Sequence, residues 1–257
     1  MRHICTLMTD FGEVDPYVGS MKGVLLSQAP GVQLVDLSHQ IPPQDVQRGS
    51  LFWGDCVSWF PAGTVHLGVV DPGVGTGRKV CVAEGNGQIL VCPDNGLLTD
   101  WWMASEEPRA FEVTREDLRL AGVSSTFHGR DIFSPIAAAL ASGRIRPEEC
   151  GPGISPILLN RPSWENTDLG VRGHVLLVDH FGNCVMNIPG HVFSPGTQLI
   201  INKTFTVPRV KTYGDASAGD VVILEGSTGL LEVAVAQGSA STQLGIVAGD
   251  EVMIELI

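Results

Sequence analysis

The sequence predicts an α/β protein: an N-terminal α/β domain with a largely parallel central sheet, joined to a smaller all-β, barrel-like domain. Three observations predict it. Over residues 1–70, short β-branched apolar runs alternate with stretches of helical period. Beyond residue 171 the helical period disappears, and short strand-like runs follow one another through glycine-rich connections. Between these textures, residues 147–166 are rich in proline and glycine and carry no periodicity. The domains are accordingly placed at residues 1–160 and 171–257, with the linker at 161–170.

Residues 3–8 form a first strand that ends in Thr9-Asp10-Phe11-Gly12. Asp15 and Pro16 suit an N-cap and first helical position. Tyr17, Val18, Met21, Val24 and Leu25 then make an apolar stripe of helical spacing, closed by Pro30-Gly31. Residues 32–37 are the second strand. Residues 45–60 are the second helix, with Val46, Trp53, Val57 and Phe60 on one face. Residues 64–70 are the third strand, which delivers Asp71. Strand–helix–strand–helix–strand implies a parallel sheet with right-handed crossovers.

Residues 80–84 and 88–92 flank Gly85-Asn86-Gly87, a hairpin signal. Pro93-Asp94-Asn95-Gly96 turns into a short helix carrying Trp101 and Trp102. Asp131 suits the cap of an alanine-rich helix running to Ala141. In the second domain, strands are expected at 175–178, 204–207, 221–224, 230–236 and 251–257.

The formal net charge of -12 excludes general affinity for nucleic acid or an anionic membrane and favours a cationic small molecule. No apolar run reaches the roughly 18 residues that a membrane span needs. The N-terminal residues lack the apolar core of a signal peptide, so a cytoplasmic protein is expected. The six cysteines form no CxxC pair and mostly lie in apolar runs, so they read as reduced core thiols, not a metal site.

Residues 69–79, VVDPGVGTGRK, set an acid and a guanidinium seven positions apart around a glycine-rich turn. One reading is a turn closed by an ion pair; the other is a wall where backbone approaches a ligand closely. A dinucleotide fingerprint fails here, because the residues after the glycines are strand-like, not helical. Asp10, at a strand end, suits either a local turn or the two hydroxyls of a ribose. His128 lies in a polar loop, and residues 179–183, DHFGN, directly follow an apolar strand.

Taken together, TDFG at 9–12, HLGVVDPGVGTGRK at 66–79, PDNGLL at 93–98, TFHGRDIFSP at 126–135 and DHFGN at 179–183 resemble one family. It is the S-adenosyl-L-methionine (SAM) hydroxide adenosyltransferases, adenosine-forming SAM hydrolases related to the fluorinase and chlorinase. The motifs run in the family's order across nearly the whole chain. The resemblance implies a SAM hydrolase giving adenosine and L-methionine by attack of water or hydroxide at the ribose C5′, without metal or cofactor. It implies a homotrimer, in which the second domain completes the site at a subunit interface. It puts water activation on Asp71, Arg78 and His128, and ribose binding on Asp10, within a segment whose Phe11 and Asp15 also face substrate. Asp179, Phe181 and Asn183 are implied as contacts to methionine and the base, Ser227 and Glu232 to the amino-acid end, and Val235 to adenine.

The halogenases of the family have tyrosine where Asp71 stands, a hydroxyl-rich turn after it, an inserted loop where only Gly85-Asn86-Gly87 joins the strands, and tryptophan at Gln44. A halogenase forming 5′-halo-5′-deoxyadenosine is therefore the alternative, and a non-catalytic SAM or adenosine binder is a second. The chemistry suits the residues. The sulfonium is already a good leaving group, so the site needs a poised oxygen nucleophile and exclusion of competing water. Arg78 stays charged and can stabilise hydroxide character, Asp71 can orient it, and His128 can accept a proton or orient the water.

Overall fold

A computed structural model describes residues 3–257. The chain divides into two compact units, one up to Leu159 and one from Asn160 to Ile257.

The first unit is built on a six-stranded sheet of order β2-β1-β3-β5-β4-β6. Its elements are β1 (Ile4–Thr9), α1 (Tyr17–Gln28), β2 (Gln33–Ser38), α2 (Val46–Cys56), β3 (Val65–Val69), β4 (Val80–Gly85), β5 (Gln88–Pro93), α3 (Thr99–Ala104), β6 (Arg109–Glu112) and α4 (Ser134–Ala141). Strands β1, β2, β3 and β5 are parallel, as the alternating pattern requires, while β4 runs antiparallel to β5 and β6. Successive strand residues feed cores on opposite faces. Val65, Leu67 and Val69 pack with Met21, Leu25, Phe133 and Ile136, while Met8 and Cys81 pack with Trp53, Leu97 and Trp101. Trp53 and Phe133 are fully buried. Burial of such side chains stabilises by about 1.5–3 kcal/mol each, which fixes the helices that flank the sheet. Because β1, β2 and β3 are parallel, Asp10, His39 and Asp71 all follow carboxyl ends on one edge, where α/β sheets bind ligands.

Several local expectations change. Helix α1 begins at Tyr17 with Pro16 at its cap and no side-chain cap bond, so exposed Asp15 does not cap it. Asp45 does cap α2, accepting from the Arg48 N–H at 2.9 Å. Asp131 is not a helix cap: it lies in a π-turn, Gly129–Phe133, and binds Arg130 and the Ser124 N–H. The hairpin turn forms with Asn86 and Gly87 at positive φ of 50° and 75°. Strand β6 escaped the sequence reading because four residues carry too little pattern. The proline-rich stretch after it is docked: Pro152 O accepts from the Glu112 N–H, and Ile154 N–H donates to Ala110 O.

The second unit is an eight-stranded antiparallel sheet of order β11-β10-β14-β8-β9-β13-β12, with β7 paired to β8. Its elements are β7 (Glu165–Thr167), β8 (Gly170–Val178), β9 (Cys184–Pro189), β10 (Gln198–Ile201), β11 (Phe205–Pro208), β12 (Val221–Glu225), β13 (Leu230–Val235), α5 (Ala240–Leu244) and β14 (Glu251–Leu256). A bridge between Arg209 and Ile223 brings the two ends of this order together, so the sheet is a nearly closed barrel. Residues 161–170 differ from the expected linker: β7 lies within them and β8 begins at their end. Strand β9 was missed although Cys184, Met186 and Ile188 alternate inward; Asn187 and Pro189 mask it in propensity. Among the described residues no helix is long and apolar enough to cross a membrane.

Candidate active site

At the carboxyl edge of the first sheet, Asp71 follows β3 and Arg78 precedes β4. The sequence places five small or proline residues and one valine between them, which frees the chain to double back. Val74 N–H donates to Asp71 O at 3.2 Å and Thr76 N–H to Gly73 O at 3.1 Å. Gly75 sits at φ 78°, and a Cβ there would meet Ser125 O at 2.7 Å. The turn therefore depends on glycine twice over, for its dihedral and for its approach to the 124–128 loop.

Arg78 Nε donates to both oxygens of Asp71, at 3.0 and 2.9 Å, and a terminal nitrogen adds a bond to Oδ2. That same nitrogen lies 2.9 Å from His128 Nδ1. The guanidinium also stands 4.9 Å from the ring centre of Phe133. The Asp71 and Arg78 side chains are only 5% and 10% exposed. Residues 71, 78 and 128 are thus brought into one hydrogen-bonded row. The guanidinium can only donate, so His128 Nδ1 is the acceptor and a neutral ring carries its proton on Nε2. Burial, then the neighbouring Arg78, holds His128 below its ordinary pKa, with Asp71 opposing.

Asp10 belongs to the same edge. Its carboxylate accepts from the Gln44 N–H at 2.7 Å, with Gln44 at positive φ. Burial raises its pKa; the Gln44 bond opposes this, and the Asp71 carboxylate adds to it. The turn carrying Asp10 is braced by residues that sequence reasoning did not single out. Thr9 Oγ1 lies 2.8 Å from His39 Nδ1, His39 Nε2 lies 3.0 Å from Asp36, and Gly12 N–H donates to His39 O at 2.8 Å. Phe11 forms an aromatic trio with Tyr17 and Phe127. Asp15 lies exposed beyond that turn.

The second unit carries its own cleft, of about 810 Å³. Asp179, Phe181, Asn183, Ser227, Glu232 and Val235 all line it, so every expected residue of this unit meets there. Asp179 organises the DHFGN turn, accepting from the backbone N–H groups of Phe181 and Asn183 and from the Asn183 side chain. Gly182 is held at φ 86° with Ser239 against it. The turn leaves the Phe181 ring 74% exposed at the cleft. Glu232 is 6% exposed and accepts from the Tyr213 hydroxyl. Burial raises its pKa, Tyr213 opposes, and Asp179 adds to the rise. Tyr213, Glu225 and Gln237 line the cleft without a sequence signal. The lining holds three carboxylates and no lysine or arginine, which suits a cationic ligand. Among the described residues no group of three or more His, Cys, Asp or Glu is arranged to hold a metal ion.

Comparison with known proteins bears on both units. Residues 5–151 match the SAM hydroxide adenosyltransferase N-terminal domain, and residues 173–253 match the C-terminal domain of the same family. The chain belongs to the SAM hydroxide adenosyltransferase family. It is 41% identical to an (R)-S-adenosyl-L-methionine hydrolase of Salinispora tropica over 96% of this chain and 95% of that one. A hydrolase of the same name from Thermus thermophilus is also 41% identical, over 94% of this chain and 95% of that one. A fluorinase of an Actinoplanes species is more distant, at 31% over 90% of each. A crystal structure of an uncharacterized conserved protein from Thermotoga maritima superimposes with a TM-score of 0.90 at 34% identity, over 98% of this chain and 99% of that one.

Proposed function

We propose that the protein is an S-adenosyl-L-methionine hydrolase that forms adenosine and L-methionine by attack of water or hydroxide at the ribose C5′. The observation that carries this reading is the Asp71–Arg78–His128 row in a chain whose hydrolase relatives reach 41% identity. The relatives' names specify the (R) sulfonium epimer, and the reading extends that preference to this chain.

Attack breaks the C5′–S bond, releases neutral methionine thioether and sheds one proton. No acid is needed at the leaving group. Asp71 fixes the guanidinium plane, and Arg78 supplies positive charge toward hydroxide character in the transition state. The ring of His128 stays neutral at neutral pH and offers Nε2–H to the nucleophile's oxygen. Its basic nitrogen is engaged by Arg78, so the departing proton passes to Nδ1 where that bond opens and otherwise leaves to solvent water once the C5′–O bond has formed. Asp10, with one oxygen held by Gln44, keeps acceptor capacity for the ribose hydroxyls. Phe181 offers a ring face to the base, and Asp179 and Glu232 supply negative charge for the amino-acid end. No cofactor or metal takes part. The homotrimer belongs to the same proposal, and a monomer mass by light scattering would remove it.

The halogenase reading rests on the fluorinase relative. A carboxylate only 5% exposed at position 71 opposes it, since its oxygens can accept a hydrogen from an attacking water, which a halide does not offer. The test is incubation with SAM in halide-free, oxygen-18 water, repeated with chloride. Labelled adenosine without halogenated product is the expected result. Adenosine lacking the label, or a chloride-dependent 5′-chloro product, would overturn it, as would binding without any product.

A further inference from the structure

The PDNGLL stretch is not used by the mechanism above, yet it grips the reactive loop at both ends. The β3–β5 ladder pairs its last residues at Leu67 and Val91. Beyond it, Asn95 Nδ2 donates to Val70 O at 2.9 Å, directly before Asp71. On the other side, Asp94 N–H donates to Lys79 O at 3.0 Å, directly after Arg78. The Asn95 amide is itself oriented: its Oδ1 accepts from the Leu97 N–H at 3.2 Å. The turn is anchored in turn by Asp94 Oδ1, which accepts from Ile157 N–H at 2.7 Å. Between the two gripped carbonyls the loop is shaped by short local bonds, the Asp71–Arg78 pair, the close approach of Gly75 to Ser125 and the reach of Arg78 to His128 and Phe133, so the position of its two ends sets where that guanidinium stands.

We propose that Asn95 is a positioning residue for the reaction, whose side-chain amide sets where Asp71 stands and so aims Arg78 at His128. The inference rests on the hydrolase reading. The guanidinium's geometry toward Asp71 and His128 depends on the separation of the loop's two ends, and Asn95 is the side chain that fixes one of them. Misplacement of a reacting group by about 1 Å costs on the order of a hundredfold in rate. Substrate contacts made by Asp10 and by the second unit do not run through this bond.

Asn95→Asp separates the two roles of the amide. It keeps the acceptor for Leu97 N–H and removes the donor to Val70 O. The full-length variant and wild type are compared in kcat, KM for SAM, thermal midpoint and the NMR signal of the Arg78 side-chain Nε–H. The expected result is a kcat lower by about ten- to a hundredfold with KM little changed, and an Arg78 signal that is shifted or broadened. An unchanged kcat overturns the proposal, as does a fall in kcat with the Arg78 signal unmoved. Should Asn95→Asp fail to fold, Asn95→Ser takes its place, because its hydroxyl keeps the local turn and stops short of Val70; failure of both to fold makes the residue structural and overturns it too. Wild type that forms no adenosine removes the hydrolase reading, while the Arg78 signal still reports whether Asn95 holds the loop.

Discussion

The two units present opposite kinds of polar site. In the first, the functional groups satisfy one another: Asp71 has both oxygens on Arg78, Arg78 reaches His128, and Asp10 is held by Gln44. In the second, the cleft is open, with an exposed Phe181 and three carboxylates without a cation among its lining. The difference separates two requirements. A group that meets charge only as the transition state forms must be fixed beforehand, and mutual hydrogen bonding does that. A group that meets a cationic, flexible substrate gains by staying reachable: Asp179 and Glu232 line the open cleft with only neutral partners of their own, and the Phe181 ring is uncovered.

Breaking the first site should therefore have the largest effect. Arg78→Ala removes the charge at the nucleophile and leaves Asp71 buried without its partner. The expected loss is about a thousandfold in kcat, with SAM affinity by calorimetry largely kept. Loss of a buried partner also costs about 3–5 kcal/mol of stability, read as a lowered denaturation midpoint. Arg78→Lys should recover charge but not the fork that holds both oxygens, and should stay well below wild type. Normal turnover of Arg78→Ala would sink the assignment of the row to catalysis.

Acid should also distinguish the units. His66 is fully buried, between Thr6 and Gln88, and its pKa is lowered to about 4, chiefly by burial. A lowered histidine contributes stability above its unfolded pKa of about 6.5 and loses it as pH falls toward the folded value. From the drop of 6.5 to about 4, the stake is about 3 kcal/mol, lost between those two pH values. Glu232 has the opposite sign. Its raised pKa gives stability that is present at low pH and lost as pH rises through the folded value. Hydrogen exchange on the whole chain should show β1 and β3 losing protection between pH 6.5 and 4 more than β13 does. Equal loss in all three strands would erase this contrast.

How far each site was legible follows from what its residues do. Asp71 and Arg78 sit on one loop, so their partnership stood in the sequence as an acid and a guanidinium around glycines. His128 lies 50 positions from Arg78, and nothing local ties the two; only the family resemblance joined them. Asn95, Thr9 and His39 act on backbone or on one another, and such contacts leave no pattern in composition or period. The parallel sheet was legible because buried strands and amphipathic helices alternate. The barrel was less so: β9 hides its inward alternation behind Asn187 and Pro189, and β10 has only four residues.

Asp10 and Phe181 give the smaller effects and sharpen the contrast on the binding side. Asp10→Asn keeps the acceptor for Gln44 N–H and loses the charge for the ribose hydroxyls. A hydrogen bond to a charged group is worth about 1.5–3 kcal/mol, so KM should rise by about ten- to a hundredfold with kcat less affected. Phe181→Ala removes a ring that touches little in its own unit, apart from an edge contact with His180 at 5.6 Å. Stability should hardly move. Base stacking on an aromatic ring is worth about 1–3 kcal/mol, and an exposed ring lies at the low end, so KM should rise about tenfold. Phe181→Tyr, which keeps the face, should restore it. A fall in kcat with KM unchanged for Phe181→Ala would instead place that ring with the fixed groups of the first unit, and the division between a preformed reactive site and a waiting cleft would no longer hold.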